Sequence, residues 1–507
     1  MRAVSGTRRT AAASAALSLQ KGFENVKALP FSEMPGPQWP VVGALPAFMS
    51  YGFSRLHEYY RTSYEKYGLI WNGSIMNEPT VILSEPREMR KVFQQEGRYP
   101  RGLVSDAWFL HHMNAKLKLP GSKLIEDGPN WHSSRQKLQK DIFGVATASS
   151  YCEPVTQAAE MVMESLEQRT RSGQQVDLRD LIVNAVADVF TAAMLGRPLG
   201  VSAGRATEEE QQWVENGMKS IGLTAQLTLQ PHLKLWPEAS ATYRELERRE
   251  VSMRKTTKDL VFETLARYEN YEGPEEDLPY VVRVWRRKEF SEEDFPMEVH
   301  GIVLAGLDTT YHILLWNMLN LGRFPEAQES LRKEVDEVLG PTAHFTRDKL
   351  SEMPYLKAFM RETHRFSAPA PVFSIRFAEE DMTLCGYEVP KNCRIVMTSE
   401  GLQNDPQLVD EPEKFLPERF LPDQVQARKN DPLKSILDHK LLSGPFSFGP
   451  RMCMGARLAD MEIMTLMAKF TSRFYFELAP NQSWQDRMQT AKAPDPIPTL
   501  NFTVRNP

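Results

Sequence analysis

Ten residues, Phe446-Ser-Phe-Gly449-Pro-Arg451-Met-Cys453-Met-Gly455, set an aromatic, two glycines, a cation and a cysteine at fixed offsets. A helical pattern begins directly after the cysteine. A helix N-terminus carries partial positive charge and unpaired N–H donors. Both lower a thiol's pKa and favour thiolate. Phe446, Met452 and Met454 make the surroundings apolar. Such a thiolate suits a soft, partly desolvated ligand for a large metal cofactor. Gly449 and Gly455 let the backbone come close to a flat macrocycle, and Arg451 could pair with one of its carboxylates. A lone cysteine before a helix is more often a buried structural residue. It is the whole spacing that argues for chemistry here.

A second cluster, Ala305-Gly306-Leu307-Asp308-Thr309-Thr310, lies mid-way along a helical pattern from about Ser291 to Arg323. That helix would be roughly 48 Å long at 1.5 Å per residue. A mid-helix glycine is unfavourable by about 1 kcal/mol against alanine, so Gly306 asks for a reason, and close approach of a cofactor is one. Two threonines can bond back to carbonyls and open the helix locally. Asp308 after the apolar run Ile302–Leu307 is expensive unless it works. A bent core helix with a satisfied Asp is the plainer alternative. Glu362 and Arg365 sit at i, i+3 on one helix face, and Pro417-Glu418-Arg419-Phe420 follows downstream. Trp131 and Arg135 are one helical turn apart. His132 and His364 have no partner at ligand spacing, so surface or core histidine is the better reading.

These residues need a scaffold, and the chain has length enough for one. It has 507 residues, 41% hydrophobic and 25% charged, which excludes a disordered or fibrous chain. Lys plus Arg is 61 against 66 Asp plus Glu, so no basic field points to nucleic acid. Four cysteines, Cys152, Cys385, Cys393 and Cys453, form neither a disulfide framework nor a C-x-x-C zinc motif. No stretch reads as long and apolar enough to span a bilayer. Residues 1–23 hold Arg2, Arg8, Arg9 and Lys21 without an acid, the pattern of an organelle transit peptide. The expected layout is a transit segment at 1–30 and one compact body at 31–507. That body is mainly α with small β-sheets. Strands are expected at Leu69–Met76, Thr80–Ser84, Thr383–Val389, Arg394–Ser399 and Asn501–Val504. Helix is expected around Phe53–Tyr67, through most of Val145–Leu195, from Ser291 to Phe366, and over Gly455–Phe474.

The cysteine segment resembles the haem-binding loop of the cytochrome P450 monooxygenases. The other motifs follow that family's order, Trp131, Thr309, Glu362, Arg419, Cys453, over about residues 35–505. The resemblance implies a long central helix over haem b and Cys453 as the thiolate ligand of its iron. It implies that Thr309 hydrogen-bonds the bound dioxygen and that Asp308 feeds protons to it. Trp131, Arg135, Arg376, Phe446, Arg451 and Gly455 would contact the cofactor. Glu362, Arg365 and Arg419 would form a buried structural network. One departure stands out: the family's usual proline three residues past Arg365 is Ala368 here, with Pro369 and Pro371 following.

The transit-like start and Glu96-Gly97-Arg98-Tyr99-Pro100 are similar to the family's mitochondrial branch. There a [2Fe–2S] ferredoxin and its NADPH-dependent reductase supply electrons, docking on cations matched by Lys357, Arg361 and Arg457. Ala456 stands where that branch usually has a second arginine. The implied reaction inserts one atom of O₂ into a lipophilic, sterol- or steroid-like substrate. Rival readings are a microsomal-type monooxygenase with a diflavin reductase, a haem–thiolate isomerase or peroxide-driven enzyme, and a non-catalytic haem binder. The expected location is the mitochondrion, peripheral on the inner membrane, against the endoplasmic reticulum or cytosol. Gly222–Trp236 could enter a membrane surface or serve as core or pocket.

Overall fold

The computed structural model describes residues 27–505, apart from 77, 103–107, 229, 341–345 and 443. The expected transit segment lies outside the described residues up to position 26. The fold is mostly helical with small sheets. Its contacts group it into two compact units.

The first unit holds the residues up to Leu103, Ala358–Cys453 and Asp486–Lys492. Its four-stranded sheet runs in the order Ile70–Asn72, Thr80–Leu83, Arg394–Thr398, Val372–Phe377. The middle pair, Thr80–Leu83 and Arg394–Thr398, is parallel. Buried parallel strands read as continuous apolar runs, as Val81-Ile-Leu83 and Ile395-Val-Met397 do. Trp71, Val81, Leu83, Ile395 and Met397 are fully buried in its core. The single strand expected at Thr383–Val389 is instead a hairpin of Met382–Leu384 and Tyr387–Val389. Cys385 and Gly386 both take positive φ, 48° and 79°, which folds the chain back tightly. The strand Val372–Phe377, unread in the sequence, supplies Arg376.

The second unit holds Val104–Lys357, Met454–Gln485 and Ala493 onward. The central helix Asp294–Arg323 packs against the helices Leu178–Leu195, Glu208–Thr228, Ala241–Arg267 and Ala456–Arg473. At 30 residues it is about 45 Å long. By length and composition it could cross a membrane, contrary to the expectation that no stretch would, but 72% of its apolar window is buried in protein. Leu178–Leu195 shows how such helices are bounded. Asp177 caps its start by accepting from Asp180 N at 3.0 Å, and Gly196 ends it at φ 70°. The final helix is Ala456–Arg473, and Phe474–Leu478 pairs antiparallel with Leu500–Val504. The helix Glu208–Thr228 absorbs the start of the apolar segment Gly222–Trp236, and a 3₁₀ turn over Pro231–Leu235 follows. Leu235 and Trp236 are exposed there.

Candidate active site

The cysteine segment folds as a loop closed on itself. Gly449–Arg451 makes a 3₁₀ turn, Met452 N donates to Gly449 O at 3.0 Å, and Cys453 N donates to Phe446 O at 2.8 Å. No cysteine is in a disulfide, and Cys453 alone of the four is exposed. Burial pushes the Cys393 thiol up to about 12 and the Cys385 thiol well above its ordinary range, which leaves both as inert protonated thiols.

Gly449 answers to constraints beyond a flat cofactor. Its φ of 72° lies in the left-handed region, and a Cβ there would collide with Glu96 Oε1. Glu96 Oε2 pairs with Arg376 Nε at 2.5 Å. Arg376 also donates to Ser374 Oγ, Ile375 O and Phe448 O, each at 2.9 Å. Arg451 Nε donates to Pro100 O. Arg376 and Arg451, expected at a cofactor carboxylate, are thus also bound to protein. Burial pushes the Glu96 carboxyl up, while Arg376 and then Arg451 pull it back. Gly455 caps the final helix, and a Cβ there would point into open space.

Glu362 and Arg365 are both fully buried on the helix Pro354–Ser367. Their two bonds, Nε to Oε2 and Nη2 to Oε1, are each 2.8 Å. Glu362 Oε1 also accepts from Leu416 N at 2.8 Å and Arg419 Nε at 3.2 Å. Arg365 then donates to the carbonyls of Gln403, Pro412 and Lys414. The three residues therefore meet and order the irregular chain of residues 403–419.

In the second unit, the central helix buries most of its residues but exposes Ala305 and Thr309, one turn apart. Thr309 Oγ1 donates back to Ala305 O at 2.7 Å. The helix stays continuous through both threonines. Asp308 is buried, and His312 Nδ1 stands 3.6 Å from its Oδ1. Gly306 faces Phe190, whose ring would sit 2.6 Å from an added Cβ. Helix packing against Phe190 is by itself enough to require a glycine here. Gly301 does the same for Ser122, which lets Ser122 Oγ donate to Glu298 at 2.7 Å. Trp131 and Arg135 are buried on the helix Gly128–Leu138, and Arg135 Nε donates to Gln139 Oε1 at 3.1 Å.

Lys357 and Arg457 are exposed. Arg361 is half-buried, with its guanidinium 4.4 Å from the Phe420 ring centroid and 3.4 Å from Asp438. Of the three expected docking cations it is the least available. Two buried pairings carried no sequence signal. One is Glu96–Arg376, whose members are 280 positions apart. The other is Glu250–His300, joined at 3.0 Å, with Arg254 3.3 Å from the same carboxylate oxygen.

An exposed thiol in a glycine-bounded loop with apolar neighbours fits a soft metal centre in a flat ligand. Among the described residues no group of three His, Cys, Asp or Glu offers another metal site. The cytochrome P450 family model matches residues 34–502. The chain is 26% identical to a mitochondrial 25-hydroxyvitamin D-1 alpha hydroxylase of Rattus norvegicus, over 89% of its length and 88% of the relative's. It is 26% identical to a mitochondrial sterol 26-hydroxylase of Homo sapiens, over 84% and 80% respectively. With that match over nearly its whole length, the chain belongs to the cytochrome P450 family of haem–thiolate monooxygenases.

Proposed function

We propose that the protein hydroxylates a sterol- or steroid-like substrate in the mitochondrion, with Cys453 as the iron ligand. The reaction consumes substrate C–H, O₂, two electrons and two protons, and yields the alcohol and water. Haem held at Cys453 supplies the dioxygen chemistry. Phe446, Arg451, Gly455, Trp131, Arg135 and Arg376 are the residues we assign to hold it. The observation that carries the reading is the exposed Cys453 thiol in its closed loop, where the other three cysteines are buried.

The remaining steps fall to side chains. Thr309 Oγ1 holds a proton on the exposed face of the central helix, at present directed at Ala305 O. Asp308, adjacent and buried, passes protons toward that hydroxyl. Burial of most of the central helix excludes water from all but this face. Glu362, Arg365 and Arg419 are structural, since all three bond to protein around residues 403–419.

What these relatives act on and where they reside support both the substrate class and the compartment. Electrons come from an acidic ferredoxin reduced by an NADPH-dependent reductase, and Lys357 and Arg457 present exposed cations to it. Exposed Leu235 and Trp236 suit peripheral contact with the inner membrane. The test has two arms. Titration of the haem-loaded protein with a sterol and secosteroid panel should give a spin-state shift. Turnover should follow with NADPH, ferredoxin and ferredoxin reductase. Turnover with a diflavin reductase alone, or with peroxide alone, would overturn the assignment.

A further inference from the structure

The segment Glu96–Gly102 straps the cysteine loop at three points. Glu96 packs against Gly449 so closely that no Cβ fits between them. Pro100 O accepts from Arg451 Nε. A Cβ on Gly102 would lie 2.9 Å from Arg451 Cδ, and Gly102 bridges Arg376 through the backbone. Arg376 closes the strap: it binds Glu96 Oε2 with Nε and Phe448 O with Nη2. Its guanidinium also lies 5.2 Å over the Phe93 ring, which packs 6.2 Å from Phe448. Glu96 is thus a carboxylate bonded to Arg376 and within electrostatic reach of Arg451 of the loop, and its Oε1 has no hydrogen-bond partner among the described residues.

We infer that Glu96 is a positioning residue for the cysteine loop, whose negative charge offsets Arg376 and Arg451 and thereby sets the iron's reduction potential. The inference rests on Cys453 as the iron ligand. Two guanidinium charges without Glu96 would favour the reduced, less positive iron, because net charge near the centre tunes its potential. With Glu96 in place, one of the two is cancelled. The strap also fixes Phe448 O, two residues from the Phe446 carbonyl that receives Cys453 N–H.

Potentiometric titration of the haem-loaded protein in mildly alkaline buffer tests this. Glu96→Gln should shift the potential positive, and Arg376→Gln should shift it negative. The double variant should return toward wild type, since it restores the net charge of the pair. A strap that only holds shape would move both single variants the same way, and that result overturns the inference. So does a Glu96→Gln potential equal to wild type. Should Glu96→Gln fail to load haem, the Arg376→Gln and double-variant potentials decide: a double variant no more positive than Arg376→Gln refutes the charge role. A wild type lacking the red-shifted ferrous–CO band would instead sink the ligand assignment itself, so the two failures are distinguishable.

Discussion

Replacing Glu362 by Gln removes one charge from a site with no water to replace it. Both Glu362 and Arg365 have side-chain exposure of 0%. Glu362 accepts four bonds, two from Arg365, one from Arg419 and one from Leu416 N. The substitution leaves the Arg365 guanidinium buried without its counter-charge, and turns one acceptor into a donor that faces other donors. Breaking one side of a buried pair destabilises by about 3–5 kcal/mol. A folded domain has only about 5–15 kcal/mol in all. The variant should therefore unfold at much lower urea than wild type, and lose haem from the loop first. Urea unfolding followed by tryptophan fluorescence and Soret absorbance measures both. Lys357→Gln on the same helix is the control, since Lys357 is exposed and should stay within about 0.5 kcal/mol of wild type. A Glu362→Gln loss below about 1 kcal/mol would refute the idea that this pair organises residues 403–419.

Other expectations follow from single contacts. Thr309→Ala and Asp308→Asn should each lower product formation by about 10²-fold, with less effect on substrate-induced spin shift; equal loss of both would point to misfolding of the helix. Gly306→Ala should destabilise by about 1–3 kcal/mol through its clash with Phe190 yet leave haem stoichiometry intact, and loss of haem without loss of stability would restore a cofactor role for that glycine. Burial pushes the Glu462 carboxyl up to about 8. Because that lies above its unfolded value of 4.5, the neutral form's stability is fully present below that pH and is lost as pH rises from there through about 8, by roughly 5 kcal/mol. Glu462→Gln should flatten this slope, and an unchanged slope in urea midpoints against pH would contradict it. Lys357→Gln with Arg457→Gln should raise the KM for reduced ferredoxin several-fold at low salt and little at high salt, with kcat unchanged.

The chemistry-bearing residues were legible because each motif is local. The spacing Phe446–Gly455, the run Ala305–Thr310 and the pair Glu362–Arg365 each fall within ten consecutive residues. Long amphipathic or apolar helices such as Asp294–Arg323 announce themselves for the same reason. What stayed hidden depends on chain segments far apart in sequence. Glu96 stood out only as part of a branch motif and Arg376 only as a cofactor contact; nothing in the sequence showed that the two pair. The Cys385–Gly386 turn was missed because positive φ at a cysteine has no compositional signal. Gly306 was legible as anomalous but not as a packing residue, since Phe190 stands on another helix. The division into two units was likewise unreadable: the first draws on three separate stretches of chain.

The ferrous–CO absorption spectrum of the haem-loaded protein tests the central assignment most directly. Wild type should show the red-shifted band of a thiolate ligand, and Cys453→Ser should lose it while remaining folded. A wild-type spectrum without that band, or a Cys453→Ser spectrum that keeps it, would contradict the assignment of Cys453 to the iron.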